Sequence, residues 1–152
     1  MQKIQDTYFK KMKISAGTAI LYKNKILLGH PTSLPWLNSF SPPKGGVDEG
    51  ETYLEAAIRE TREEVGINII TSQISNLNSP IEFLYINKKG ELFKKCYIFI
   101  VKINELSEIG LDNETLDKSQ LQATEIDYAK FFTKEEAMNK IFFRFQPLLN
   151  MI

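Results

Sequence analysis

Three glutamates, Glu60, Glu63 and Glu64, lie in a stretch, residues 52–65, whose apolar spacing reads as a helix. At about 100° per residue, Leu54, Ile58, Thr61 and Val65 share one side and would pack on a sheet. The three glutamates take the opposite side, within roughly a third of a turn of one another. Ala56 shares their side one turn earlier and is small enough to let a ligand approach the helix. Like charges at i and i+4 repel by roughly a few tenths of a kcal/mol, so such a face asks for a counter-charge. Arg59 and Arg62 are close, but one guanidinium cannot be shared by three carboxylates without leaving oxygens unpaired. A hard divalent cation suits the cluster: magnesium takes oxygen ligands and commonly bridges carboxylates to substrate phosphates. The plain alternative is a solvated charged face, which spacing alone does not exclude.

The elements around that helix set where it can sit. Residues 15–22 and 25–29 read as strands around the turn Lys23-Asn24, where Asn tolerates left-handed geometry. Residues 30–44 hold four of the six prolines and read as loop. Strands follow near 81–87 and 93–102, joined by Lys88-Lys89-Gly90-Glu91, and residues 104–124 read as a polar loop. Thr133-Lys134-Glu135-Glu136 is a capping box, which predicts a helix from about Lys134 towards Leu148. This order predicts α/β or α+β architecture: one domain over residues 1–152, with a mixed sheet between helices.

Composition narrows the partners. The chain has 152 residues, with nineteen basic residues balancing nineteen acidic ones. That balance lacks the basic surplus of a protein held to nucleic acid through its phosphates, so a phosphate ligand needs a local site. Residues Met1 to Asp6 contain no apolar signal core, and no segment approaches 18 uninterrupted apolar residues, so the expectation is no membrane and a cytoplasmic location. The single cysteine, Cys96, rules out an internal disulfide and reads as a buried filler within an apolar run. His30, the only histidine, reads as a surface or packing residue, and Trp36 as an aromatic able to cover a base.

The sequence around the helix is more specific than its charges. Gly45, Glu51, Arg59, Glu60, Glu63, Glu64, Gly66 and the apolar Ile67 fall at the spacing G-x5-E-x7-R-E-U-x-E-E-x-G-U, where U is bulky and apolar. This resembles the box of the Nudix hydrolases. All seven fixed identities are present; at average usage of about 7% each, a chance match at a given start is on the order of 10⁻⁸. Thr61 departs, standing where an apolar residue is the rule. The resemblance implies a mixed sheet sandwiched between helices, with the box as loop–helix–loop. It implies that Glu60, Glu63 and Glu64 bind metal, helped by a carbonyl at or next to Gly45, with Mg2+ or Mn2+ as the ion. It implies that Arg59 braces the glutamates and that Glu51 is partly structural.

By the same resemblance the reaction is hydrolysis of a phosphoanhydride in a nucleoside diphosphate joined to another group. Glu63 or Glu64 is a candidate base. Glu125 is a candidate outside the box, because it precedes by six residues an aromatic, Phe131, that should open the last strand before a helix starting Glu135-Glu136-Ala137. Glu105, Glu108 and Glu114 are weaker alternatives. Phe40-Ser41-Pro42-Pro43-Lys44-Gly45 resembles a stretch of the asymmetric diadenosine tetraphosphate hydrolases, as do Tyr85 and Lys94-Lys95-Cys96-Tyr97. This implies Tyr85 stacking on a base and Lys44 and Lys95 on phosphates, with Phe40 in the binding loop. Gly46 and Ile126 depart, standing where those hydrolases have histidine. ADP-ribose or a nucleotide sugar, a modified nucleoside triphosphate and an RNA 5′ end remain alternative substrates. A binding module without catalysis is a further reading, disfavoured because every box glutamate is present.

Overall fold

The first strand is a nearly unbroken run of small and apolar residues because both its faces are covered. A computed structural model describes residues 12–34 and 38–152; Trp36 and the segment Met1 to Asp6 lie outside them. β1 (Lys13–Tyr22) is buried from Ser15 onward. Ala16, Ile20 and Tyr22 join one core, and Ala19 and Leu21 the other. Lys23 (φ 45°) and Asn24 (φ 61°) turn the chain into β2 (Lys25–Pro31). Both residues are left-handed, as a tight two-residue hairpin requires.

β1 and β2 pair only beside that turn, at Leu21↔Ile26 and Tyr22↔Lys25, and then diverge. The segment Ser41–Gly46 fills the fork. Its last part, β3 (Lys44–Gly46), pairs antiparallel with Ser15, Ala16 and Gly17 of β1. Ser41 exchanges backbone hydrogen bonds with Gly29 on the β2 side, and Thr18 donates its N–H to the Pro43 carbonyl at 3.0 Å. Gly17 permits this wedge, since a side chain there would overlap the Pro43 carbonyl and Lys44.

The rest of the sheet forms around this fork. β4 (Ile81–Ile86) pairs antiparallel with β5 (Leu92–Ile103), which runs parallel to β1. β6 (Ile126–Thr133) pairs antiparallel with β2, giving the order β4-β5-β1-β2-β6 with β3 off β1. One face is covered by α1 (Tyr53–Val65), capped by Thr52 and ended at Gly66. The other face is covered by the C-terminal segment. The loop after β5 contains two short 3-10 turns, Leu106–Ile109 and Lys118–Gln120. No helix among the described residues is long and apolar enough to cross a membrane.

Two expectations change. The capping box at Thr133 and Glu136 forms, but α2 (Lys134–Met138) is short, and a 3-10 helix over Phe143–Met151 replaces its predicted continuation. The chain leaves the helix because Phe40 pairs with it: the Phe40 N–H donates to the Lys140 carbonyl, and the Phe142 N–H to the Phe40 carbonyl, both at 2.7 Å. Pro147, which has no N–H to donate, lies further along. The second change is that Phe131 does not open the last strand. β6 begins at Ile126, directly after Glu125, because its pairing with β2 extends to Pro31.

Candidate active site

Arg59 organises the start of the site. Its guanidinium forms a fork on Glu51, with Nε–Oε2 at 2.7 Å and Nη2–Oε1 at 2.9 Å. It also donates to Glu60 at 2.8 Å, to Glu63 at 3.1 Å and to the Gly46 carbonyl at 2.8 Å. These bonds staple the loop before α1 to the second turn of the helix. They hold the Glu51 carboxyl down at about 2 and push the Arg59 guanidinium up, both chiefly through the Arg59–Glu51 hydrogen bonds. Glu60 lies against Gly45, where any side chain would run into its carboxylate. Burial pushes the Glu60 carboxyl up, against the pull of Arg59.

The three glutamates occupy neighbouring positions on α1 but in different surroundings. Glu63 is exposed, whereas Glu64 is only 7% exposed and flanks the buried stripe of α1. Its Oε1 accepts the Lys44 N–H at 3.0 Å. Burial is the main cause that raises its carboxyl to about 7, partly opposed by Lys44 and reinforced by the charges of Glu60 and Glu125. Ala56, expected on the ligand side, is fully buried with Ala57, while Leu54 and Ile58 are only half-buried. The helix packs through its small residues, which lets it come close to β1. Thr61 fits that contact: its hydroxyl donates to the Ala57 carbonyl and lies 2.7 Å from the Thr18 hydroxyl on β1, which therefore supplies the other proton. A buried pair of hydroxyls thus replaces the usual apolar contact. Among the described residues, no three His, Cys, Asp or Glu side chains converge as a ready-made ion cage. Glu60 and Glu63 both turn to Arg59 instead.

Glu125 reaches the site because its loop is docked on both sides. The Gln122 N–H donates to the Glu64 carbonyl and the Gln120 side chain to the Val65 carbonyl, tying the loop to the end of α1. The Thr32 N–H donates to the Glu125 carbonyl, tying it to the end of β2. Glu125 and Glu64 then line one cavity of about 250 Å³, together with Ser41, Pro42, Lys44 and Gly45. Glu105 and Glu108 instead form a local cap, and Glu114 pairs with Lys25.

A second cavity of about 260 Å³ adjoins the first, sharing Pro31, Ser41 and Lys44. It adds Leu34, Ser39, Tyr85, Lys94 and Phe142. Three sequence expectations need correction here. Lys95 lies on the opposite sheet face, 3.9 Å from Glu82; strand alternation turns Lys94 to the cavity instead, directly across from Tyr85. The residue missed was thus one position away, and the burial of Cys96, two residues on, marks the face. Burial, with the neighbouring charge of Lys44, pushes the Lys94 ammonium down. Phe40 belongs to the core, with Phe132 at 5.1 Å and His30 at 5.2 Å between ring centres, and does not line either cavity. Tyr85 is only 7% exposed, with Phe142 stacked on it and Lys94 and Arg144 over its ring, so it offers no open face to a base. His30 is hydrogen-bonded to Asp127 at 2.7 Å, and Cys96 is buried.

Comparison with known proteins follows the same lines. The sequence pattern of the NUDIX domain matches residues 12–148. The asymmetrical bis(5′-nucleosyl)-tetraphosphatase of Caenorhabditis elegans is 37% identical over 75 residues, which is 49% of this chain and 52% of that protein. The RNA pyrophosphohydrolase of Nitratiruptor sp. is 31% identical over 85 residues, 51% of this chain and 52% of that protein. The chain thus spans about half the length of these curated relatives. A crystal structure of a C. elegans Ap4A hydrolase binary complex superposes with a TM-score of 0.65 at 27% identity, covering 91% of this chain and 93% of that one.

Proposed function

The chain belongs to the Nudix family, and from that premise we propose that it is a divalent-metal-dependent hydrolase of phosphoanhydride bonds, with dinucleoside polyphosphates as its preferred substrates. The observation that carries this reading is the pair of adjoining cavities. One is acidic, with Glu64 and Glu125; the other is cationic, with Lys44 and Lys94; Lys44 lies between them. A long polyphosphate can place one anhydride at the acidic end and its outer phosphates at the cationic end. ADP-ribose, with two phosphates, gives the second cavity less to hold.

The residues present fit a divalent ion. Glu64 is a buried carboxylate that Lys44 compensates only in part, and Glu125, Ser41 and the backbone at Gly45 in the same cavity offer oxygen ligands of the kind a hard cation takes. Glu60, Glu63 and Glu64, with the backbone at Gly45, would hold magnesium, or manganese in its place, once Arg59 shares their oxygens. When bound, such an ion neutralises phosphate charge and lowers the pKa of water. Arg59 keeps the loop and helix in register through Glu51. Lys44 holds substrate from β3 with a backbone pinned by Pro42 and Pro43. Glu125, which lines the same cavity as Glu64, takes the proton of the attacking water.

The test is kcat/KM for diadenosine tetraphosphate, ADP-ribose and a 5′-triphosphorylated RNA at equal magnesium. The tetraphosphate is expected to be turned over best. A clear preference for ADP-ribose or RNA would overturn the substrate reading and leave the family unchanged.

A further inference from the structure

Lys44 and Lys94 are neighbouring cations, yet neither has an ion pair with a carboxylate among the described residues. Lys25, Lys95 and Lys130, by contrast, each have one. Lys94 is also half withdrawn from water. A flexible ammonium in that setting would swing outward to regain hydration unless something opposed it. Tyr85 is placed to oppose it. The two residues are directly opposite in the β4–β5 ladder, and the Lys94 ammonium lies 4.9 Å from the centre of the Tyr85 ring.

The ring itself is fixed. Phe142 stacks on it, and Phe93 and Phe145 meet it edge-on. The hydroxyl is buried with no hydrogen-bond partner among the described residues, so the ring is held through its faces and edges and not through its oxygen. Arg144 also lies 4.9 Å from the ring centre, but its guanidinium donates to the Leu84 and Ile86 carbonyls at 3.3 and 3.0 Å, along the open edge of β4. Arg144 is thereby tied to the strand edge, and Lys94 is left to the cavity.

We propose that Tyr85 is a positioning residue that holds the Lys94 ammonium in the cationic cavity, and that this pair sets how strongly the chain grips a phosphate beyond the bond it cuts. The assignment of that phosphate to a dinucleoside polyphosphate rests on the function proposed above. Tyr85 thus acts through Lys94 and not by stacking on a base.

The experiment compares wild type, Tyr85→Leu, Tyr85→Phe, Lys94→Gln and the Tyr85→Leu/Lys94→Gln double variant. Two readouts are taken: kinetics on diadenosine tetraphosphate, and calorimetric binding of inorganic tripolyphosphate with magnesium, with thermal melts to establish folding. Tyr85→Leu is expected to raise KM and the tripolyphosphate Kd by about fivefold with kcat changed less than about twofold. Tyr85→Phe keeps the ring under Lys94 and should restore both constants. The double variant should be no weaker than Lys94→Gln alone. A failure of Tyr85→Phe to restore binding, or an equal loss from Tyr85→Leu with and without Lys94, would overturn the proposal; the folded Phe variant decides the matter even if the Leu variant does not fold. If wild type fails to cleave the tetraphosphate but tripolyphosphate binding follows the expected pattern, the substrate reading fails and the positioning role stands. If the tetraphosphate is cleaved and the variants do not alter binding, the reverse holds.

Discussion

The two cavities that share Lys44 are built by different means. The acidic one rests on a local frame, in which Arg59 ties loop and helix through Glu51, Glu60 and Glu63, and is closed by the end of β2 and by the loop that carries Glu125. The cationic one is assembled from β3, β4, β5 and the C-terminal segment, through strand register and ring packing. The first sets two carboxylates against the one shared lysine, and the second holds two lysines with no ion-paired carboxylate among the described residues. Groups retained in that state are costly unless something outside the chain completes them. A cation at one end and a polyanion across both would do so. The comparison therefore predicts that substitutions at the acidic end change the chemical step, while those at the cationic end change binding.

Glu64→Gln should produce the largest effect. It preserves size and the acceptor for the Lys44 N–H but removes charge, so kcat should fall by about 10² or more. Wild-type turnover in that variant, or full activity in excess chelator, would remove the metal from the acidic cavity.

The same variant makes an opposite prediction for stability. Because burial raises the Glu64 carboxyl from 4.5 to about 7, the fold binds that proton more tightly than the unfolded chain does. Wild-type stability in chelator should then fall as pH rises from about 4.5 to about 7. Glu64→Gln escapes this loss, gaining on the order of 1–3 kcal/mol above pH 7 and nothing below pH 4.5. Urea melts at pH 4.5 and pH 8 measure the difference, and an equal change at both would show that charge burial is not its cause.

Glu125→Gln should lower kcat by at least about tenfold at neutral pH with little change in melting temperature. Unchanged kinetics would return the base role to Glu63 or Glu64 and leave Glu125 an ordinary loop residue. The smallest expected effect separates the two adjacent lysines. Lys94→Gln should raise KM by about five- to tenfold, and Lys95→Gln by less than about twofold, since Lys95 faces Glu82 on the far side of the sheet. Equal effects would dissolve the distinction between the two faces of β5.

Sequence alone determined what depends on neighbours along the chain. The hairpin at Lys23-Asn24 follows from turn chemistry, the end of α1 at Gly66 from helix capping, and the capping box at Thr133 from spacing. The alignment of Arg59 with Glu51, Glu60 and Glu63 is equally local, because one loop and two helical turns bring them together. Tertiary structure decided what depends on closeness between distant segments. Periodicity places large apolar residues inward, but α1 approaches β1 through Ala57, Thr61 and their neighbours, which rotates Glu64 into burial. Phe40, reaching Lys140 and Phe142, cut the last helix short, though nothing near residue 140 announced it. The position of Glu125 beside Glu64 required a docked loop, and the choice of Lys94 over Lys95 required a register set by two other strands. A strand carries its alternation in its sequence, but which of its two faces meets the site is fixed only by what packs against it.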